Sequence, residues 1–210
     1  NISTSCWQIK ISQQLTSLKS DKEIPHLLLL GIGNELNGDD GAGCIIADAI
    51  NLIPPDKLKP DFVMTTYNAG TVPENFVSAI RKANPDLILI IDAGDFYEMS
   101  GSIELFSPAD VTGFSFATHA LPLNVLAEYI SSELNVQVEI LLIQPESNDY
   151  LSPLSPNVEI AIQEVISFFR NSSSTGEWVS TFTVLSTSPE NVFFRSALAF
   201  TIFWMRVFNR

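Results

Sequence analysis

The sequence predicts a single three-layer α/β domain, with a mostly parallel twisted sheet between helices. Two observations carry this. Short continuous apolar runs, Leu27–Gly31 and Leu87–Ile91 among them, alternate along the chain with segments of helical spacing, and such alternation builds a parallel sheet covered on both faces. The 210 residues are 46% hydrophobic, which supplies one core and some extra length rather than two full domains.

Each element follows from local chemistry. Residues 1–25 are polar and weakly patterned and are expected to form a leader outside the fold. Leu27–Gly31 ends in glycine and suits a strand buried on both faces. Gly41 to Leu52 has Ile45, Ile46, Ala49 and Ile50 on one helical face and is stopped by Pro54 and Pro55. Phe62–Tyr67 reads as the second strand. Thr71 and Glu74 have capping-box spacing around Pro73, which predicts a helix to about Ala83. Leu87–Ile91 is the most apolar strand and ends at Asp92. Ile103–Phe106 follows a Ser100–Gly101 turn, Leu121 to Ser132 is helical, and Val136–Ile143 is the fifth strand. Ser155 and Pro156 begin a last helix whose buried stripe is Val158, Ile162, Val165, Ile166 and Phe169. The domain therefore runs over 26–170. Residues 171–210 divide into a linker, Asn171 to Thr175, and an aromatic-rich tail. The run around Ser196–Met205 is shorter than the roughly 20 apolar residues of a membrane span, so no transmembrane span is expected. An interfacial helix, a partner-binding helix and a mistranslated tail all stay open for it.

Charge excludes several functions. The formal net charge is −13, the wrong sign for nucleic acid or an anionic membrane surface. No Lys or Arg occurs from Ala83 to Phe169, although Asp and Glu recur there. Most of these acids read as a solvated surface; some are placed to attract a cation. Cys6 sits in the polar leader and Cys44 in an apolar helix, so no disulfide is expected, and Cys44 reads as a small buried residue. Reduced cysteines and the lack of a secretory apolar run over Asn1 to Lys22 point to the cytoplasm. The chain starts with Asn, as a fragment or processed product would.

Three motifs carry chemistry. The first is the glycine-rich stretch from Gly31 through Gly33, Asn34, Gly38, Asp39, Asp40 and Gly41 to Gly43, at the carboxyl end of the first strand, where ligands bind in doubly wound sheets. A dinucleotide fingerprint needs glycine where Leu36 stands, and Asp39 and Asp40 would repel a pyrophosphate. A calcium loop begun at Glu35 puts Asp40 in place of its glycine and Ile46 in place of its bidentate Glu. What remains is a turn presenting two adjacent carboxylates. Capping the following helix suits Asp39; Asp40 is the candidate ligand. The second motif is Asp92 at the end of the third strand. If the first and third strands are neighbours, the crevice between them is the topological switch point, and Asp40 and Asp92 face each other across it. The third is Thr118-His119 before Pro122-Leu123, with His119 one of two histidines. The other, His26, precedes the first strand and belongs at the far end. Two carboxylates and an imidazole form a mixed oxygen–nitrogen set for a divalent first-row metal, and three protein ligands leave working positions open. No nucleophile elbow, His-Glu-x-x-His, Cys-x-x-Cys or phosphate loop is present.

In order, these motifs resemble the nickel–iron hydrogenase maturation endopeptidases. The matching pieces are Gly33-Asn34 with Asp39-Asp40-Gly41 and Gly43, then Asn68-Ala69-Gly70-Thr71 with Pro73-Glu74, Ile91-Asp92-Ala93, Thr118-His119 with Pro122-Leu123, and Ile143-Gln144-Pro145-Glu146, across Leu27 to Phe169. The resemblance implies a five-stranded twisted sheet between helices. It implies an aspartic-type, cytoplasmic, monomeric peptidase that removes a C-terminal extension from a hydrogenase large-subunit precursor after nickel insertion. It implies that Asp40, Asp92 and His119 contact nickel delivered by that precursor, with other divalent first-row metals able to substitute in vitro. Two mechanisms stay open: the three residues anchor the nickel and so position the scissile bond, or a carboxylate also activates water. The competing readings are a nucleotide-binding module and a non-catalytic protein-interaction scaffold on the same fold.

Overall fold

Odd and even residues of the central strands divide the core in two. Leu27, Leu29, Leu87, Leu89, Ile91, Leu141 and Ile143 join one buried cluster, whereas Leu28, Leu30, Ile88, Ile90, Ile140 and Leu142 join the other. A strand turns successive side chains to opposite faces, so a strand buried on both faces must be apolar throughout. The structure, a computed structural model, describes residues 5–18, 24–59, 61–111 and 122–170; these belong to one compact unit, Asn1–Asn171. The linker and tail expected at 171–210 lie outside the described residues.

The strands are β1 (His26–Ile32), β2 (Val63–Gly70), β3 (Leu87–Ala93), β4 (Ile103–Phe106) and β5 (Gln137–Ile143). They form one five-stranded sheet in the order β2-β1-β3-β5-β4, parallel except for β4, which pairs antiparallel with β5. The helices are α1 (Cys6–Leu18), α2 (Ala42–Asn51), α3 (Val77–Ala83), α4 (Leu123–Leu134) and α5 (Pro156–Phe169). Apolar residues of α1, α2 and α5 cover one face of the sheet, and those of α3 and α4 the other. The α5 stripe lies where its spacing predicts: Val158, Ile162, Val165, Ile166 and Phe169 are all buried. The first and third strands are neighbours, so the switch point falls between β1 and β3.

Two expectations fail. The first is the leader outside the fold. Cys6–Leu18 is a helix whose Trp7, Ile11 and Leu15 lie in the core. Trp7 packs edge-on against Phe168 with ring centroids 5.1 Å apart and donates its indole N–H to Glu164 at 3.2 Å. Gln14 donates to Glu139 at 2.6 Å, which gives the buried carboxylate of β5 a partner. Three apolar residues at four-residue intervals suffice for a stripe, and the polar residues between them hide it. The second is the capping box. Thr71 does not cap a helix: a 3-10 turn spans Pro73–Phe76 with Val72 at its N-cap and no side-chain cap bond, and α3 starts only at Val77.

Candidate functional site

The site is built where α2 enters the fork between β1 and β3. A Cβ on Gly43 would overlap the carbonyls of Ile91 and Ile32, and one on Gly31 would overlap the Gly43 carbonyl. Only glycine at both positions lets the first turn of α2 sit on the strand ends. Gly33 has φ +134, and a Cβ there would strike the Asp40 carbonyl. The chain thus folds back from β1 through a 3-10 turn, Gly38–Gly41, which packs against β3.

That turn carries the paired acids inward. Asp40 is 1% exposed and accepts the Asn34 N–H at 3.0 Å. Asp92, at the end of β3, is fully buried, and its Oδ1 accepts the Ala93 N–H at 2.8 Å. Each carboxylate is therefore oriented by a backbone N–H of its own segment. His119 lies outside the described residues. Among the described residues no group of three or more His, Cys, Asp and Glu is arranged to hold a metal.

Asp39 does not cap α2, which has no side-chain cap bond. Its Oδ2 instead accepts the N–H groups of Glu146 at 2.8 Å and Ser147 at 3.1 Å, and its Oδ1 that of Ser155 at 2.7 Å. Ser155 is the N-cap residue of α5, so Asp39 satisfies from a distance the donor that a capping-box Glu would otherwise serve. Ser155 marks the helix start as its sequence predicts, yet its own side chain makes no cap bond.

Cys44 is buried one turn into α2 and donates its thiol to the Gly33 carbonyl at 3.4 Å. Burial pushes the thiol well above its ordinary range, and the negative charges of Glu35, Asp92 and Asp48 push it further. A thiol held protonated is a poor nucleophile, so Cys44 is a packing residue. His26 begins β1 at the opposite end of the sheet, as expected.

Several residues at this edge escape a reading of spacing alone. Asn68 donates to Asp48 at 3.0 Å and to Glu35 at 3.4 Å, tying β2 to α2 and to the first loop. Gln144, only 6% exposed, accepts the N–H groups of Phe96 at 3.0 Å and Glu98 at 3.2 Å and donates to Asp95 at 3.0 Å. An Asp inside an apolar helix and a buried Gln at a strand end were the available signals.

The chain is similar to several known proteins. A family model described as hydrogenase maturation protease matches residues 56–171. The hydrogenase 3 maturation protease of Escherichia coli is 33% identical over 139 residues, covering 66% of this chain and 85% of that protease. Two solved structures share the fold. A [NiFe] hydrogenase maturation protease HycI from Thermococcus kodakarensis superposes with TM-score 0.60 at 26% identity, over 72% of this chain and 94% of that one. The endopeptidase HycI from Escherichia coli gives TM-score 0.58 at 32% identity, over 68% and 87%. With a glycine-packed fork, two buried carboxylates at its switch point and these relatives, the chain belongs to the hydrogenase maturation protease family.

Proposed function

We propose that the chain is an endopeptidase that removes the C-terminal extension of a nickel–iron hydrogenase large-subunit precursor, and that it recognises nickel already held by that precursor. The observation that supports this is the burial of Asp40, in the 3-10 turn packed against β3, and of Asp92, at the end of β3, beside the switch point between β1 and β3. Carboxylate oxygens are good ligands for divalent first-row metals, and a metal ion brought by the substrate would add favourable charge beside them. Asp40, Asp92 and His119 would present oxygen and nitrogen donors of the kind that divalent first-row metals take.

Anchoring is the main role of these residues in this reading. Nickel held by them and by the precursor fixes the scissile peptide next to the site, and proximity of that kind replaces a bimolecular encounter. Hydrolysis then adds water across one peptide bond, the hydroxyl going to the carbonyl carbon and the proton to the departing amine. The backbone bonds from Asn34 to Asp40 and from Ala93 to Asp92 hold the carboxylates in fixed directions, as an anchor requires. The enzyme acts in the cytoplasm as a monomer on a protein substrate. Cleavage of nickel-loaded precursor by Asp92→Asn tests the reading. Loss of cleavage with the fold retained is the expected result; full activity contradicts both the anchoring role and any role of Asp92 in activating water.

A further inference from the structure

The Gln144-Pro145-Glu146 segment that follows β5 touches both the turn bearing Asp40 and the loop that follows Asp92, and nothing in the proposed chemistry uses it. On one side it meets the loop after β1. Glu146 and Ser147 donate their N–H groups to Asp39, the residue next to Asp40, and the Asp39 N–H donates back to the Ser147 carbonyl at 3.1 Å. A Cβ on Gly38 would overlap Ser152 and crowd the Ser147 carbonyl, so the two loops lie in close contact. On the other side it meets the loop after β3. Gln144 binds the backbone of Phe96 and Glu98 and the side chain of Asp95, while Gly94 donates to the Ile143 carbonyl at 3.1 Å. Asp92 stands two residues before that bond.

We infer that Asp39 and Gln144 are positioning residues: through the loop after β5 they clamp the turn bearing Asp40 to the loop that follows Asp92 at the end of β3, and so set the separation of the two carboxylates. β1 and β3 fix the strand ends only as far as Gly31 and Ile91 in their mutual register. Beyond it Asp40 sits in the 3-10 turn Gly38–Gly41, while Asp92 ends β3 paired with β5 but no longer with β1, and the clamp replaces the missing bonds on the β1 side. Charge-assisted bonds to backbone N–H groups are strong and directional, and Asp39, fully buried, makes three of them. This inference rests on the proposed peptidase reading for its purpose, but its geometry is testable without substrate.

Amide hydrogen exchange on the free full-length chain provides that test. In Asp39→Asn, exchange at Glu146, Ser147 and Asn34 should rise by about tenfold or more, the loss of one or two bonds, while Leu89 in the middle of β3 keeps its wild-type rate. In Gln144→Met the same rise should appear at Phe96, Glu98 and Ala93. Asn34 and Ala93 are the informative amides, because they bond Asp40 and Asp92 themselves. Unchanged exchange at these two overturns the inference, and so does a rise shared by Leu89, which would mean a general loosening. If Asp39→Asn does not fold, Gln144→Met decides alone. Against nickel-loaded precursor, both variants should lose kcat by about tenfold or more with KM little changed. Gln144→Glu, which keeps acceptors for Phe96 and Glu98, should recover part of the loss. A wild-type chain that cleaves no precursor refutes the proposed substrate and leaves the exchange rates to judge the clamp.

Discussion

The two ends of the sheet are built by different rules. At the amino end, His26 and Asp86 trade bonds: the His26 N–H donates to the Asp86 carboxylate at 2.9 Å, and the Asp86 N–H donates to the His26 carbonyl at 2.8 Å. The His26 ring also bonds Thr65 at 2.9 Å, so the starts of β1, β2 and β3 are stitched together. Left-handed backbone there falls on Asn84 and Asn135, at the C-caps of α3 and α4, a residue type that tolerates it. At the carboxyl end, among the described residues, the left-handed non-glycine residues are Tyr97 and Leu151, which are 78% and 68% exposed. Bulky side chains in that conformation are strained, and these two lie in the segments that follow β3 and β5. Local preferences are satisfied at one end and overridden at the other, which is how a stable scaffold and a working edge differ.

Substitutions can break or sharpen this contrast. The largest effect is expected from Asp40→Ala, which should lower kcat/KM on nickel-loaded precursor by at least about a hundredfold without a matching loss of stability. Next is Gly43→Ala. Its methyl group would press on the carbonyls of Ile91 and Ile32, and overpacking against rigid backbone should cost about 1–3 kcal/mol in urea unfolding, with loss of activity as the turn shifts. Asp86→Ala is the counterpart at the amino end. It should cost about 1–2 kcal/mol of unfolding free energy and leave cleavage near the wild-type rate; a large loss of cleavage would erase the distinction between the ends. The smallest effect is expected from Leu151→Gly. Relief of a left-handed conformation is worth about 1–2 kcal/mol and is partly offset by the entropy of glycine, so a small gain in melting temperature should result. Equal destabilisation by Leu151→Gly and Asn84→Gly would show that Leu151 is not strained.

The fold was more legible than the site, for physical reasons. β1 and β3 announce themselves because burial on both faces demands unbroken apolar runs, and α5 because its stripe repeats at helical spacing. Trp7, Ile11 and Leu15 carry the same kind of signal, but polar neighbours dilute it until Phe168 and Glu164 supply partners more than a hundred residues away. Asp39 marks the limit more sharply. Its residue type and position suggest a cap for α2, yet its three donors come from Glu146, Ser147 and Ser155, and no spacing in the chain encodes that meeting. Asp40 and Asp92 could be singled out because one lies in the glycine-rich turn between the first strand and the first helix and the other ends the third strand, in a predictable topology. The β1–β3 neighbourhood that this required is present; His119, before α4, lies outside the described residues.

The most direct measurement is cleavage of a purified hydrogenase large-subunit precursor in nickel-loaded and nickel-free forms by the full-length chain. Cleavage of the loaded form alone is the predicted result, and it would establish both the peptidase activity and its gating by substrate-held nickel. Equal cleavage of both forms would contradict nickel recognition, and cleavage of neither would contradict the proposed substrate.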